Sequence, residues 1–177
     1  MLPEDFPTRL IVFDDRCGNG EKSALFAEWA AAMAQRLAPA RADEILRSAE
    51  DREQLAPTWI GCGMAVPHAR ISGLKAGGVL ALRCPDGVVW TPEGDRATLI
   101  FFLTVPEESP ELHLHLLSVL MRWRRSLRLS EQQLLALPRA AFEAGLRAAL
   151  FGDGAGTAPA VESPSVADGR CGGEASA

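Results

Sequence analysis

The chain lacks long hydrophobic runs. No stretch of eighteen apolar residues occurs among its 177 residues, and this absence argues against a membrane-spanning helix. The start, Met-Leu-Pro-Glu-Asp, also lacks the basic and then apolar layout of a signal peptide. The sequence therefore predicts a cytoplasmic protein.

Basic residues are too few for a nucleic-acid binder. Eighteen Lys and Arg stand against 23 Asp and Glu, a net charge of -5, whereas affinity for a phosphate backbone needs clustered Lys and Arg. The one basic cluster is Arg122, Arg124, Arg125 and Arg128. On a helix these four spread over more than one face, which is typical of a solvated helix end rather than a docking patch.

With 47% hydrophobic and 23% charged residues, the composition is that of one soluble globular domain.

The four cysteines form no Cys-x-x-Cys motif. They are Cys17, Cys62, Cys84 and Cys171, and this scatter suggests neither a disulfide framework nor a zinc knuckle. Cys62 follows a glycine and resembles a nucleophile, but no base is identifiable beside it. We therefore expect Cys62 to be a small buried thiol.

Apolar periodicity divides the rest of the chain into strands and helices. Residues 8–13 form a short β-type run, and Leu25, Trp29 and Met33 recur every four residues, which predicts an amphipathic helix over 21–37. The other predicted elements are a helix at 42–55, strands at 78–84, 87–90 and 97–105, and helices at 110–123 and 139–151. This order predicts an α/β fold in which a sheet is flanked by helices.

The C-terminal segment differs from the rest. Residues 152–177 are mostly Gly, Ala, Pro and Ser and have no apolar periodicity. Such a composition cannot bury enough apolar surface to fold. We expect one domain over 1–151, followed by a disordered tail over 152–177.

The chemistry concentrates in residues 61–70, which read Gly-Cys-Gly-Met-Ala-Val-Pro-His-Ala-Arg. Gly61 and Gly63 carry no side chains, so backbone N–H groups there can approach an anion closely. Pro67 restricts the backbone directly before His68, and an imidazole is suited to gaining or losing a charge near neutral pH. From the residues alone, a pocket with a fixed imidazole and a tight turn with a satisfied histidine both remain open.

Two other segments resemble binding motifs but lack the required spacing. Gly18 to Ser23 follows a strand and opens a helix as a nucleotide-binding loop does, but Glu21 stands where that motif needs glycine before the lysine. His113 and His115 lie about 200° apart around a helix, so they cannot share one metal ion. His113 aligns with neighbouring leucines and should point towards the protein core, whereas His115 should lie at the solvent-exposed side of the helix.

A third group precedes the glycine turn. Arg52 could hold a phosphate or carboxylate with its planar fork, and the Thr58 hydroxyl could donate to the same anion. A surface salt link for Arg52 and a turn-forming role for Thr58 are the simpler alternatives.

Taken together, these segments resemble a known family. Arg52-Glu53 and Pro57-Thr58, the stretch from Ile60 to Arg70, Val105-Pro106 and the His113-Leu-His-Leu-Leu run occur in an order similar to that of the fructose/mannitol-type (type 2) IIA domains. These domains belong to the bacterial phosphoenolpyruvate-dependent phosphotransferase system, and the family includes a nitrogen-related branch. The resemblance covers about residues 8 to 150. It implies a single mixed β-sheet flanked by helices, an α/β sandwich.

The resemblance also implies roles for individual residues. His68 would accept a phosphoryl group from the small histidine phosphocarrier protein and pass it to a IIB component. His113 would be the second active-site histidine, and Arg52, Thr58 and the turn amides at Gly61 and Gly63 would stabilise the phosphate. The chemistry requires no metal and no cofactor.

The resemblance leaves the biological role open. One hypothesis is a cytoplasmic transport component that is at most peripheral to a membrane IIC permease and binds no nucleic acid. The other is a regulatory protein whose His68 phosphorylation controls binding to a target, as in the nitrogen-related branch. Trp59 departs from the family, which usually has glycine there, and it could cap the pocket, contact a partner or pack under the turn. Because of Trp59, a third hypothesis is a IIA-like domain that has lost the ability to transfer a phosphoryl group.

Overall fold

A computed structural model describes residues 8–14 and 21–152, with side chains described from residue 21 onwards. The helices are α1 (Lys22–Leu37), α2 (Ala42–Leu55), α3 (Pro110–Ser126), α4 (Glu131–Leu135) and α5 (Arg139–Phe151). The strands are β1 (Thr8–Asp14), β2 (Trp59–Gly61), β3 (Met64–Ala65), β4 (His68–Ile71), β5 (Gly77–Val89) and β6 (Arg96–Pro106). Residues 153–177 of the expected disordered tail and residues 18–20 of the Gly18 to Ser23 segment lie outside the described residues.

The six strands form one mixed sheet in the order β1, β5, β6, β3, β2, and β4 also pairs with β6. β5 and β6 are antiparallel, whereas β1 runs parallel to β5. Both β3 and β4 run parallel to β6. The predicted fold class, a single mixed sheet flanked by helices, is confirmed.

The sheet is buried on both faces because its central strands alternate between two hydrophobic cores. On β6, Phe101 and Leu103 pack with α3 and α5, while Ile100 and Phe102 pack with α1 and α2. This explains why the sequence of β6 is almost entirely apolar, since a strand covered on both sides needs no polar face. Of the described helices, none is long and apolar enough to span a membrane.

The local predictions hold for the long elements and fail for short ones. The helical stripe of Leu25, Trp29 and Met33 is buried on α1 as expected. The two strands predicted at 78–84 and 87–90 are one strand, β5, with a register shift between Arg83 and Val88. The five-residue α4 was not predicted, although a capping box on Ser130 marks its start.

The cysteine expectations are wrong on two points. Cys62 is exposed rather than buried, because it lies at the tip of the turn between β2 and β3. Cys84 is disulfide-bonded, whereas the scatter of the four cysteines suggested no disulfide framework. The wide spacing of cysteines in sequence does not report on which of them the fold brings together.

Gly63 occupies a position that no larger residue fits. Its φ is +69°, and a Cβ there would lie 2.6 Å from Thr98 Oγ1 and 2.8 Å from Glu131 Oε1, two atoms that hydrogen-bond each other at 2.6 Å. We expect Gly63→Ala to lower the free energy of unfolding by about 2–4 kcal/mol, measured by urea denaturation. Gly73→Ala is the matched control because Gly73 also has a φ of +69° but nothing within 4 Å of such a Cβ. Equal losses in the two variants would show that crowding against Thr98 is unimportant.

Candidate functional site

β3 and β4 are two parts of one strand that runs along the edge of β6. Met64 pairs with Leu99 and His68 pairs with Leu103, so both parts keep the same register. Pro67 lies at the break because it has no N–H to give to a sheet, although its carbonyl accepts from Leu103 N. His68 therefore opens β4 directly after the break, in a position defined by pairing with the deeply buried β6.

The two-residue period of a strand decides which way His68 points. Met64 and Val66 belong to the core beneath α3 and α5, whereas Ala69 and Ile71 belong to the core beneath α1 and α2. His68 lies an even number of residues from Val66, so it faces α3. Its side chain is buried.

The hydrogen bond of His68 identifies its tautomer. Nδ1 lies 3.2 Å from the Val66 carbonyl oxygen, and a carbonyl can only accept, so Nδ1 carries the proton. A neutral imidazole protonated at Nδ1 has its free lone pair at Nε2. His68 thus presents Nε2 as a nucleophilic nitrogen.

His113 reaches the same place from the first turn of α3. The ring centroids of His68 and His113 are 4.0 Å apart, with the planes tilted by 36°. His113 is buried as predicted, while His115 is half-buried. The helical spacing had indicated this difference correctly.

The partners of His113 are unequal. Its Nδ1 lies 3.4 Å from Arg70 Nη2, and a guanidinium can only donate, so Nδ1 accepts and Nε2 carries the proton. Within the described part of the chain, the buried His113 Nε2 has no hydrogen-bond partner. A buried N–H without an acceptor costs free energy, which an acceptor supplied by a bound anion would recover.

Arg52 approaches the two histidines from α2. The Ser48 hydroxyl hydrogen-bonds both the N–H and the carbonyl of Arg70, at 3.0 and 3.1 Å, and so holds α2 against β4. Arg52 is one helical turn further along the same face. Its Nη1 donates to the Ala56 carbonyl at 3.0 Å, and its charge acts on both imidazoles. The simpler reading of Arg52, a surface salt link, is not observed among residues 21–152.

Both imidazoles are held neutral. Burial lowers the pKa of His68 from its usual value, and Arg52 and Arg70 lower it further, against the raising effect of the Val66 carbonyl. Burial also lowers the pKa of His113, to about 4, and the charge that His68 would carry if protonated and the charges of Arg70 and Arg52 act in the same direction. Two neutral rings beside two guanidinium groups form a site suited to a negative charge.

The lowered pKa of His113 predicts a pH-dependent stability. Below pH 6.5 the unfolded chain binds a proton that folded His113 does not bind until about pH 4. Stability from this group is therefore complete above pH 6.5 and is lost as the pH falls towards 4, by about 2–3 kcal/mol. Urea denaturation at pH 7 and pH 4.5 measures this loss. We expect a smaller loss in His113→Gln than in wild type and an unchanged loss in His115→Gln; identical losses in all three would contradict the assignment.

Thr58 is engaged by a carboxylate. Its hydroxyl and its N–H both donate to Glu53, at 2.5 and 3.2 Å, and Glu53 also pairs with Lys22 at 2.6 Å. Lys22 in turn donates to the Trp90 carbonyl at 2.9 Å. This network joins the ends of α1, α2 and β5 beside the site, so the role of Thr58 in the structure is to position the chain after α2.

The glycine turn lies away from the histidines. The Gly63 carbonyl accepts from Thr98 and Leu99, and Thr98 is five residues before Leu103, the partner of His68. At about 3.3 Å per residue this separation is about 16 Å. The sequence places Gly61, Gly63 and His68 in one motif, but an extended strand carries the turn to the other end of the sheet edge.

Trp59 packs under the sheet. It is half-buried against the core formed by α1 and α2, on the face opposite His68. Of the three possibilities for this residue, the structure favours packing. Trp59 therefore does not cover the two imidazoles.

Arg70 lies in this site, and the sequence alone assigned it no role. The signal was present, because in a strand the residues at i and i+2 share a face, and Arg70 is two residues after His68. Among the described residues no three His, Cys, Asp or Glu side chains converge as metal ligands.

Comparison with known proteins places this arrangement in a family. The sequence profile of the family described as phosphoenolpyruvate-dependent sugar phosphotransferase system, EIIA 2, matches residues 6–131. A nitrogen regulatory protein of Pseudomonas aeruginosa is 35% identical in an alignment of 103 positions that covers 55% of this chain and 64% of the relative. A fructose-specific EIIA component of Haloferax volcanii is 33% identical over 81 residues, 45% of this chain and 53% of the relative. The chain thus spans less than two thirds of the length of these relatives.

The fold agrees with the sequence match. The crystal structure of nitrogen regulatory protein IIA-Ntr from Neisseria meningitidis superposes with a TM-score of 0.52 at 29% identity, over 72% of this chain and 90% of that one. The matched residues 6–131 are well over half of the chain and include β4 with His68 and the whole of α3 with His113. The chain therefore belongs to the EIIA 2 family of the phosphoenolpyruvate-dependent sugar phosphotransferase system.

Proposed function

We propose that this protein is a phosphoryl carrier that accepts a phosphoryl group on His68 Nε2 from the histidine phosphocarrier protein and passes it to a IIB component. The observation that carries the proposal is the pairing of a neutral imidazole, protonated at Nδ1, with a second neutral imidazole whose buried Nε2–H has no acceptor among the described residues. One ring supplies a lone pair and the other supplies a donor. A phosphoryl group needs both.

The transfer follows from the two tautomers. The Nε2 lone pair of His68 forms a bond to phosphorus while the phosphorus–nitrogen bond of the carrier's phosphohistidine breaks, and that bonding pair returns to the carrier's imidazole. The ring of His68 becomes cationic as it forms the new bond, and the Val66 carbonyl stabilises this charge through the Nδ1–H. A loose transition state of this kind needs alignment and charge stabilisation rather than covalent help.

The phosphoryl oxygens carry the negative charge for which the site is suited. His113 Nε2–H would donate to one oxygen, and the Arg52 guanidinium would supply positive charge close by. Thr58 can join them only by exchanging its hydrogen bond with Glu53 for one with the phosphoryl group. Gly61 and Gly63 are too far along the strand, so we leave their amides out of the proposed site.

The test is phosphorylation of the purified protein. It is incubated with phosphoenolpyruvate, the general phosphotransferase enzyme and the phosphocarrier, and its intact mass is measured. We expect one phosphoryl group per chain, lost in acid and retained in alkali as a phosphohistidine is. Absence of incorporation, or incorporation that survives acid, would refute the proposal.

A second candidate is a regulatory protein of the nitrogen-related branch. The similarity to nitrogen regulatory proteins from two organisms favours it. The chemistry at His68 would be the same, but the output would be binding of a target protein according to phosphorylation state. The site is compatible with both roles, because His68 accepts the phosphoryl group in the same way whether a IIB component receives it or a target protein responds to it.

Onward transfer separates the two candidates. Phosphorylated protein, freed of phosphocarrier, is mixed with purified IIB components of the fructose and mannitol types. Transport predicts rapid loss of the phosphoryl group to one of them. Regulation predicts retention of the group on His68 in the presence of every IIB component, together with a target that binds one of the two forms only.

A further inference from the structure

Arg70 is, among the described residues, the charged side chain in direct contact with the second histidine. Its Nη2 lies 3.4 Å from His113 Nδ1, and the residue itself is exposed. Arg52 acts on His113 through its charge, but it uses its own Nη1 on the Ala56 carbonyl. The two arginines therefore have different tasks.

The backbone at Arg70 is secured independently of its side chain. Arg70 pairs with Val105 on β6, and its N–H and carbonyl both bond the Ser48 hydroxyl. Removing the guanidinium therefore leaves β4 anchored on both edges. The side chain serves the site rather than the fold.

A neutral imidazole can carry its proton on either nitrogen, and the two forms present opposite chemistry to an anion. With the proton on Nε2, His113 offers a hydrogen-bond donor at that buried nitrogen. No described residue supplies an acceptor for it. With the proton on Nδ1, the same nitrogen would offer a lone pair and repel a phosphoryl oxygen, while Nδ1–H would meet the donors of Arg70. Only the form with the proton on Nε2 is compatible with both Arg70 at Nδ1 and a phosphoryl oxygen at Nε2.

We propose that Arg70 is a positioning residue, which holds His113 in the Nε2–H tautomer and so prepares the donor that receives the phosphoryl group. The contribution to transfer rests on the proposed function, whereas the tautomer does not. Arg70 would act through His113 and not as the principal phosphate ligand. The same contact keeps His113 from accepting a second proton, because a protonated Nδ1 would face a guanidinium.

The first test reads the tautomer directly in the unphosphorylated protein. The ring nitrogens of ¹⁵N-histidine are observed by NMR in wild type, Arg70→Met, which keeps the length of the side chain without its donors, and Arg70→Lys, which restores a donor. Arg122→Met, an exposed arginine nine residues further along α3 from His113, is the control. We expect an Nε2–H ring in wild type and in the control, a mixture of tautomers in Arg70→Met, and a partial return in Arg70→Lys.

The second test measures the rate of phosphorylation of His68 in the same four proteins. We expect Arg70→Met to slow transfer roughly 10- to 100-fold, the range for a lost hydrogen bond from a charged group, and Arg70→Lys to recover part of the rate. Arg122→Met should match wild type. The acid limb of the rate against pH should move to higher pH in Arg70→Met, because His113, then facing only His68 and Arg52 among the described titratable groups, takes up a proton more easily.

The two tests can contradict different parts of the proposal. A wild-type ring protonated at Nδ1, or an unchanged tautomer in Arg70→Met, would overturn the inference even if His68 is phosphorylated normally. A rate in Arg70→Met equal to that of wild type would overturn the contribution to transfer. A tautomer that depends on Arg70 in a protein that is never phosphorylated would uphold the positioning and refute the proposed function.

Discussion

His68→Asn is expected to abolish phosphorylation completely while leaving the protein folded. The asparagine amide lies near the position of Nδ1, so it can still donate to the Val66 carbonyl that His68 contacts at 3.2 Å. The variant has nothing at the position of Nε2 and therefore no nucleophile. Intact mass after incubation with the phosphocarrier system measures the result, and thermal unfolding confirms the fold.

The control for this variant is His115→Asn. His115 lies two residues from His113 on α3 but faces away from the buried pair, so full incorporation is expected. Incorporation of a phosphoryl group into His68→Asn would place the acceptor elsewhere. Loss of incorporation in His115→Asn but not in His68→Asn would reverse the assignment.

His113→Asn is expected to slow phosphorylation of His68 by about 10²–10³-fold, the usual cost of removing one donor from a site of developing charge. The asparagine oxygen can still accept from Arg70 near the position of Nδ1, so the contact at 3.4 Å is conserved in kind. What disappears is the donor at Nε2. Single-turnover rates with phosphorylated carrier measure the effect.

His113→Gln separates the donor from the imidazole. A glutamine amide reaches the position of Nε2 and can donate there, so we expect a loss of only about tenfold relative to wild type. Equal rates in His113→Asn and His113→Gln would show that the buried N–H of His113 is not what stabilises the phosphoryl group. A wild-type rate in both would remove His113 from the site.

The sequence predicted the long elements because burial imposes a period. The apolar stripe of α1 matches the buried face of a helix. The apolar run of β6 matches a strand that is buried on both faces. The same reasoning directed His113 inward and His115 outward from their spacing to the neighbouring leucines. Helical geometry is local, so a few consecutive turns of sequence are enough to orient a side chain.

Short elements escaped prediction because their patterns are too brief. β2, β3 and β4 are three, two and four residues long, and two or three alternations cannot be distinguished from a turn. The expectation that the Gly61 and Gly63 amides lie beside His68 depends on this short stretch of sequence. Pairing with β6 extends it instead, which separates Gly63 from His68 and leaves Cys62 exposed at the far end.

The amino-acid sequence alone determined the family, the fold class and the candidate chemistry of His68, since these depend on residue types in a given order. Only the tertiary structure decided the two tautomers, the contact of Arg70 with His113 and the engagement of Thr58 by Glu53. Each of these depends on distances between particular groups, such as the 3.4 Å between side chains of β4 and α3. Hydrogen bonds act over a few ångströms, and distances of that size between separate elements are set by how the two cores pack against the sheet.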